Sequence, residues 1–486
     1  MQARALGCVL VTALAVRLLV TLWFPNIIAF DEVYQYFEQA HRLVFGYGFV
    51  PWEYQVGLRS WFVPLLFAGP MALAHLLSAD PLVGLIFLRV LLCFASLSIV
   101  WCAARLGSRF YGIPGLWIAG LLAALWPDLW LMAPHGLEEV LAADVLVPAL
   151  YIIETLPAGI CLRRVGVAGF FLGLAFTFRI QLAPAIALAG VVMCRRDLRR
   201  WIIALACATV PVVLVGMLDW YTWSQPFRSF WLNVLVNANL GETFGANPFG
   251  YYLHMLTLMW LWTIILMTVL IWRGSRLLPL SGFTALIIVL SHSFVAHKEY
   301  RFIFPAIALF VPIAGVGLAG LITSMTNAKI ASLWRFTFFA LLLTGPFCSP
   351  WLYYMLTAHT ASFRIFERMK YQTLGLVAVN QPDYYFMPLD ILFLHKTVVI
   401  QLTQSKINAQ PPGAIVSSVE DFVPTQHYYL SFCERQTNNP FTLDRRGEIC
   451  VWINDNIIHR PPEVSSVDFY VPSVARPFII HDRLGN

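Results

Sequence analysis

About eleven stretches of this chain are apolar for long enough to cross a lipid bilayer, and no other feature limits its possible folds so strongly. They fall at 5–24, 83–104, 112–127, 137–157, 165–178, 182–194, 201–218, 251–272, 278–296, 302–323 and 331–356. Hydrocarbon offers main-chain groups no hydrogen bonds, so each run is expected to be helical. A further run, 61–78 (WFVPLLFAGPMALAHLLS), contains Pro64 and Pro70. Composition agrees. Of 486 residues, 59% are hydrophobic and 12% charged, where a soluble domain carries about 25% charged residues. The chain is therefore a mainly α-helical, polytopic membrane protein. Its first run, Arg4 to Phe24, has no small-residue cleavage site before Asp31 and is read as a retained signal anchor.

The formal net charge of +6 comes from small basic clusters between apolar runs. That pattern is a topology signal and not a nucleic-acid surface, so no nucleic-acid partner is expected. The densest cluster, Arg195, Arg196, Arg199 and Arg200, is assigned to the cytoplasm. Arg105/Arg109, Arg163/Arg164, Arg273/Arg276, Lys329/Arg335 and Arg4 share that side only if 61–78 does not fully cross. The run 61–78 is thus expected to be an interfacial or re-entrant helix broken by its prolines. The N-terminus then lies inside and the C-terminus outside.

This topology gathers chemistry on the outer face. The loop 25–82 brings Asp31, Glu32, Trp52, Glu53 and Arg59, and 128–136 leads into Glu138 and Glu139. Arg179 sits between two runs of only about 20 Å each at helical rise. The loop 219–250 is rich in aromatics, Asn and Gly, which suits stacking on sugars, although an aromatic belt looks similar. In "AFDEVYQYFEQAHRLVFGYGF", helical spacing puts Phe30, Val33, Phe37, Ala40 and Val44 on one stripe and Asp31, Gln35, Glu38 and Arg42 on another. An interfacial helix with its carboxylates toward water is expected. Asp31 then reads either as an N-cap or as a catalytic carboxylate, and a cap leaves Glu32 unexplained.

"SHSFVAHKEYRFIFPAIALF" places His297, Lys298, Glu299 and Arg301 at the outer end of a span. Snorkelling side chains are the plain alternative. Four ionisable residues on the outer side run against the positive-inside bias, however, and a cationic cluster there suits a lipid phosphate.

Beyond about Ala358 the chain turns polar, with short β-like runs such as GEICVWI and DFYVPSV. A small extracytoplasmic domain, β or mixed α/β, is expected at 357–486 after a membrane domain at 1–356. Only two cysteines, Cys433 and Cys450, fall in that outer stretch, where a disulfide between them can persist. No metal-ligand spacing of Cys or His occurs.

"HKEYRFIFP" resembles the HKEERFLFP signature of glycosyltransferase family 22, the lipid-phosphate-mannose α-mannosyltransferases of N-glycan and GPI-anchor assembly. "FDEVYQYFEQAHRLVFGYGFVPWEY" is similar to that family's first-loop pattern, and "GLRSWFVP" to the LRS element after it. Asp219-Trp-Tyr with Pro226-Phe, then "FGANPFGYYLH", resemble two further elements in the same order, so the likeness covers roughly 25–310. Ala29 and Phe30 replace the usual His-Pro, and Tyr300 replaces the second Glu of HKEER.

The resemblance implies a GT-C fold and inverting transfer of mannose from a polyprenyl-phosphate donor to an acceptor hydroxyl on a glycan or glycolipid. It also implies membrane lipids as surroundings and neither cofactor nor metal. On this reading Asp31 is the base, with Glu32 beside it, and His297, Lys298, Glu299, Arg301 and Arg179 hold the donor phosphate and sugar. Arg59, Glu138, Glu139, Trp52 and Glu53 orient the acceptor or those cations. A transferase using another polyprenyl-phosphate sugar, or a flippase of lipid-linked sugars, are the alternatives. A flippase is expected to carry charges at mid-membrane in repeated halves. The chain has no Asn-x-Ser/Thr sequon and ends in DRLGN. Both favour a bacterial inner membrane over the ER membrane.

Overall fold

The computed structural model of the chain describes residues 1–48, 50–157, 161–240, 245–324 and 328–360, then 363, 364, 367 and five strands between 376 and 454. Helices occupy every apolar run. From the N-terminus they are α1 (Gln2–Trp23), α2 (Glu38–Phe45), α3 (Trp52–Val56), α4 (Phe62–His75), α5 (Pro81–Ala95) and α6 (Leu97–Leu125). Then come α7 (Pro127–Met132), α8 (Glu138–Glu154), α9 (Leu162–Phe178), α10 (Ala183–Cys194), α11 (Leu198–Trp223) and α12 (Arg228–Leu240). The series ends with α13 (Tyr251–Trp260), α14 (Thr263–Ser275), α15 (Pro279–Ser293), α16 (Phe304–Thr323), α17 (Ala328–Phe347) and α18 (Pro350–Thr357).

Contacts group the chain into two units. The first is Met1–Trp23 with Arg89–Leu356, and the second is Phe24–Leu88 with Thr357–Asn486.

In the first unit α16 is the hub, with 89% of its spanning stretch buried. It packs chiefly on α6 and α14. Lipid tails are as apolar as leucine, so membrane helices gain by close van der Waals fit between small residues. A Cβ on Gly317 would strike the Leu270 carbonyl of α14, and one on Gly274 would strike Ile313 of α16. Gly169 and Gly173 of α9 lie equally tight on Ala204 and Ala208 of α11.

Two long runs depart from straight helices. In α6 the backbone leaves helical geometry at Tyr111 and Gly112, where Gly112 takes φ +60°. There the chain doubles back, since Gly107 abuts Gly115 and Ala104 lies against Gly120. The runs 83–104 and 112–127 therefore form a hairpin with Arg105 and Arg109 near its tip. The run 251–272, expected as one span, is instead bent by 110° between α13 and α14. Leu261 at the break has φ +46°. Hydroxyls satisfy the carbonyls freed there: Ser349 Oγ donates to Leu258 O at 2.7 Å and Thr263 Oγ1 to Trp260 O at 2.5 Å.

Among the described residues, by length and apolarity four helical stretches are able to cross a membrane, or six if each bent pair is one span. The shorter apolar helices include α4 and α15.

In the second unit α4 is one continuous helix of 14 residues, with Pro70 inside it. The expected break at Pro64 and Pro70 is absent. Pro64 sits in the first turn, where its missing N–H costs nothing. The five strands, β1 (Leu376–Gln381), β2 (Val398–Thr403), β3 (Tyr428–Phe432), β4 (Phe441–Arg446) and β5 (Ile449–Asn454), form a sheet ordered β2-β1-β3-β5-β4. β1 pairs in parallel with β2 and β3, while β5 pairs antiparallel with β3 and β4. Of the run GEICVWI the part from Ile449 lies in β5, whereas Gly447, Glu448, DFYVPSV and Cys433 lie outside the described residues, as does the Cys450 side chain.

Candidate active site

In the first unit, three elements deliver charge to one place. Glu139 stands in the first turn of α8, and Arg179 follows α9 with extended backbone. Arg301 belongs to a short 3-10 turn, Tyr300–Ile303, that leads into α16. Glu139 Oε1 lies 2.8 Å from Arg179 Nη1 and 3.6 Å from Arg301 Nη1. All three are at least nine-tenths buried. Both guanidinium groups also flank the Phe302 ring, at 4.6 and 5.1 Å from its centroid.

Arg301 is gripped a second time by Glu299. Its Nε donates to Oε2 at 2.7 Å and its Nη2 to Oε1 at 3.0 Å, a forked pair. His297 Nε2 lies 3.0 Å from the same carboxylate. Burial opposes ionisation of Glu299, yet Arg301 and His297 hold it well below the usual carboxylate range.

Lys298 is 4% exposed. Among the described residues its ammonium donates only to main-chain carbonyls, Asn247 O at 2.6 Å and Ala296 O at 3.5 Å. Asn247 returns a bond from Nδ2 to Lys298 O at 3.1 Å. The motifs FGANPFGYYLH and HKEYR are thus one structure. Three basic side chains, Arg179, Lys298 and Arg301, are buried here, with Glu139 and Glu299 paired to the two arginines, so the cluster concentrates positive charge. Such a charge, out of water, suits an anion.

Tyr300 explains its own departure from the family pattern. Its hydroxyl donates to Asp128 Oδ1. Asp128 also accepts from Trp126 Nε1 at 2.8 Å and from Trp260 Nε1 at 2.9 Å. This buried carboxylate ties α7, the α13 break and the HKEYR turn together. Sequence reading passed over it, since one Asp between tryptophans carries no pattern.

The second unit holds the acids of the first loop. Residues Glu32–Phe37 form a π-helical stretch continuing into α2. Wider turns shift the residues off the 3.6 spacing, so the expected water-facing stripe is wrong: Gln35 is 3% exposed and Glu38 1%. Glu32 is fully buried. Asp31 stands at the N-cap position, but its side chain makes no capping bond. Instead Gln35 Nε2 donates to Asp31 Oδ1 at 2.8 Å and to Glu53 Oε1 at 3.1 Å. Burial, then the Asp31 charge, push Glu53 up to about 7, while Arg59 acts in the opposite direction. Trp52 begins α3 beside Glu53. Glu138 stands in the first turn of α8 and is half-buried.

The helical bundle resembles that of ArnT from Cupriavidus metallidurans bound to undecaprenyl phosphate. The TM-score is 0.59 at 13% identity, over 93% of this chain and 98% of that one. It also resembles the Archaeoglobus fulgidus oligosaccharyltransferase tethered with an acceptor peptide, with TM-score 0.51 and 10% identity, over 89% and 69% of the two chains. These likenesses are of fold, and the fold is that of the GT-C membrane glycosyltransferases. The chain itself belongs to the Alg9-like mannosyltransferase family, which matches residues 8–399.

Its relatives include GPI mannosyltransferase 3 of Yarrowia lipolytica, 29% identical over 70% of this chain and 67% of the relative. Alpha-1,2-mannosyltransferase alg9 of Schizosaccharomyces pombe is 27% identical over 63% and 57%. GPI alpha-1,2-mannosyltransferase 3 of Danio rerio is 24% identical over 99% and 88%. The chain is a membrane glycosyltransferase.

Proposed function

We propose that the chain transfers mannose, with inversion, from polyprenyl-phosphate mannose to a hydroxyl of a glycan or glycolipid on the outer membrane face. The observation that supports this most is the buried cationic cluster in which Lys298 donates to carbonyl oxygens. A lipid phosphate is a good leaving group, so the donor side needs cations and no acid. Arg301, Lys298, His297 and Arg179 supply them, and Glu299 and Glu139 hold the two arginines in place. Asp31 takes the acceptor's proton. Glu32, Glu53, Arg59 and Trp52 order the acceptor, and Glu138 joins Glu139 at the donor side. The reaction needs no cofactor or metal. The absence of sequons favours the outer face of a bacterial inner membrane.

The test is incubation of purified protein with radiolabelled polyprenyl-phosphate mannose and a membrane lipid extract. Label should pass to a glycolipid or glycan product, and should not pass when GDP-mannose is the only donor. Transfer from the nucleotide sugar, or from neither, overturns the reading.

A further inference from the structure

Beside the cationic cluster, two buried polar atoms find no partner among the described residues: Tyr252 Oη and His292 Nε2. Tyr252 is 1% exposed and His292 4%. They come from different helices, α13 and α15, which pack on each other and on the HKEYR turn. Both share the same charged neighbours, Arg179 and Glu139. Those two have open valences as well, at Arg179 Nε and at Glu139 Oε1, which lies near Arg179 Nη1 but off the hydrogen-bonding direction. A buried polar atom left unbonded is costly, and four such atoms on residues that neighbour one another indicate a missing polar occupant.

The chemistry of the four atoms says which occupant. His292 Nδ1 lies 2.8 Å from Ile288 O. A carbonyl only accepts, so Nδ1 carries the proton and Nε2 is an acceptor. Tyr252 Oη and Arg179 Nε donate, while Glu139 Oε1 accepts. A phosphate needs donors alone and is repelled by bare Nε2 and a carboxylate. Sugar hydroxyls both donate and accept, and match the alternation.

We infer that Tyr252 and His292 bind hydroxyl groups of the transferred sugar, forming a specificity pocket beside the phosphate site. This rests on the donor reading above. It distributes the work: cations take the phosphate and neutral groups read the sugar. A site built to bond a hydroxyl rejects analogues lacking it, because its own groups then stay unpaired.

The experiment pairs Tyr252→Phe and His292→Asn with polyprenyl-phosphate mannose and its 2-, 3-, 4- and 6-deoxy analogues. Asn keeps a donor where Nδ1–H was and deletes Nε2, and His292→Gln restores an acceptor there. Each variant should lose about tenfold or more in kcat/KM with mannose. It should lose little beyond that with one particular deoxy sugar, the one lacking its partner hydroxyl. His292→Gln should recover part of the His292→Asn loss.

Melting temperatures measured alongside separate misfolding from lost recognition. Equal fractional losses across all donors overturn the inference while leaving the donor reading intact. A wild type inactive with every lipid-phosphate hexose overturns both.

Discussion

Asp31 separates two roles that look alike in the sequence. It occupies a helix N-cap position, yet makes no capping bond and shares Gln35 with Glu53. Asp31→Asn keeps an acceptor for Gln35 and takes away the carboxylate's capacity to accept a proton. It should lower transfer by about 10²–10⁴-fold and change stability by less than about 1 kcal/mol, the size of a lost cap. Turnover within a few-fold of wild type would make Asp31 structural.

Glu53 gives a pH test. Its pKa is pushed up to about 7 by burial and then Asp31, so the folded state keeps the proton to higher pH than the unfolded chain. The contribution to stability is full below about 4.5, the ordinary value, and is lost as pH rises through about 7. Glu53→Gln does not titrate. Its melting temperature relative to wild type should rise between pH 5 and pH 8, and parallel curves would refute the shift. Of these residues the HKEYR charges were legible, because ionisable side chains crowd one short outer segment. Tyr252 and His292 were not. An aromatic and a lone His in apolar helices look like core until three dimensions leave an atom without a partner.

At the scale of elements, apolar length located the helices but not their shapes. The α6 hairpin follows from Gly112, whose φ of +60° suits glycine. The α13–α14 bend occurs at Leu261, a residue with no breaker character, and depends on Ser349 and Thr263 bonding freed carbonyls. The hub α16 is held by small residues at crossings. Gly317→Val should force α16 from α14 and cost about 1–3 kcal/mol, the usual range for overpacking. Thermal unfolding in detergent reads this, with Gly69→Ala as control, since no atom lies within 4 Å of a Cβ there. An unchanged midpoint for Gly317→Val would show that the crossing is loose. The first-loop helices were foreseen as elements, but the π-helical stretch turned their polar stripe inward.

For the whole molecule, orientation follows from arginine placement. A reporter that fluoresces only in the cytosol should be bright when inserted at Arg200 and dark when fused after Asn486. A bright C-terminal fusion would mean that 61–78 is a true span, or that another run, such as the bent pair α13–α14, was miscounted.

Composition and the spacing of apolar runs determined that this chain is a helical membrane protein, because hydrocarbon tolerates little else. The ordered motifs determined its family and pointed to the acids and cations proposed for its chemistry. Only the tertiary structure decided which of those groups pair. It paired Glu139 with Arg179 and Arg301, joined Asn247 to Lys298 across some fifty residues of chain, and tied Tyr300 to Asp128. It also left Tyr252 and His292 open. Pairing depends on distance and direction between atoms far apart in sequence, and burial makes each unmade bond costly; a linear pattern records neither.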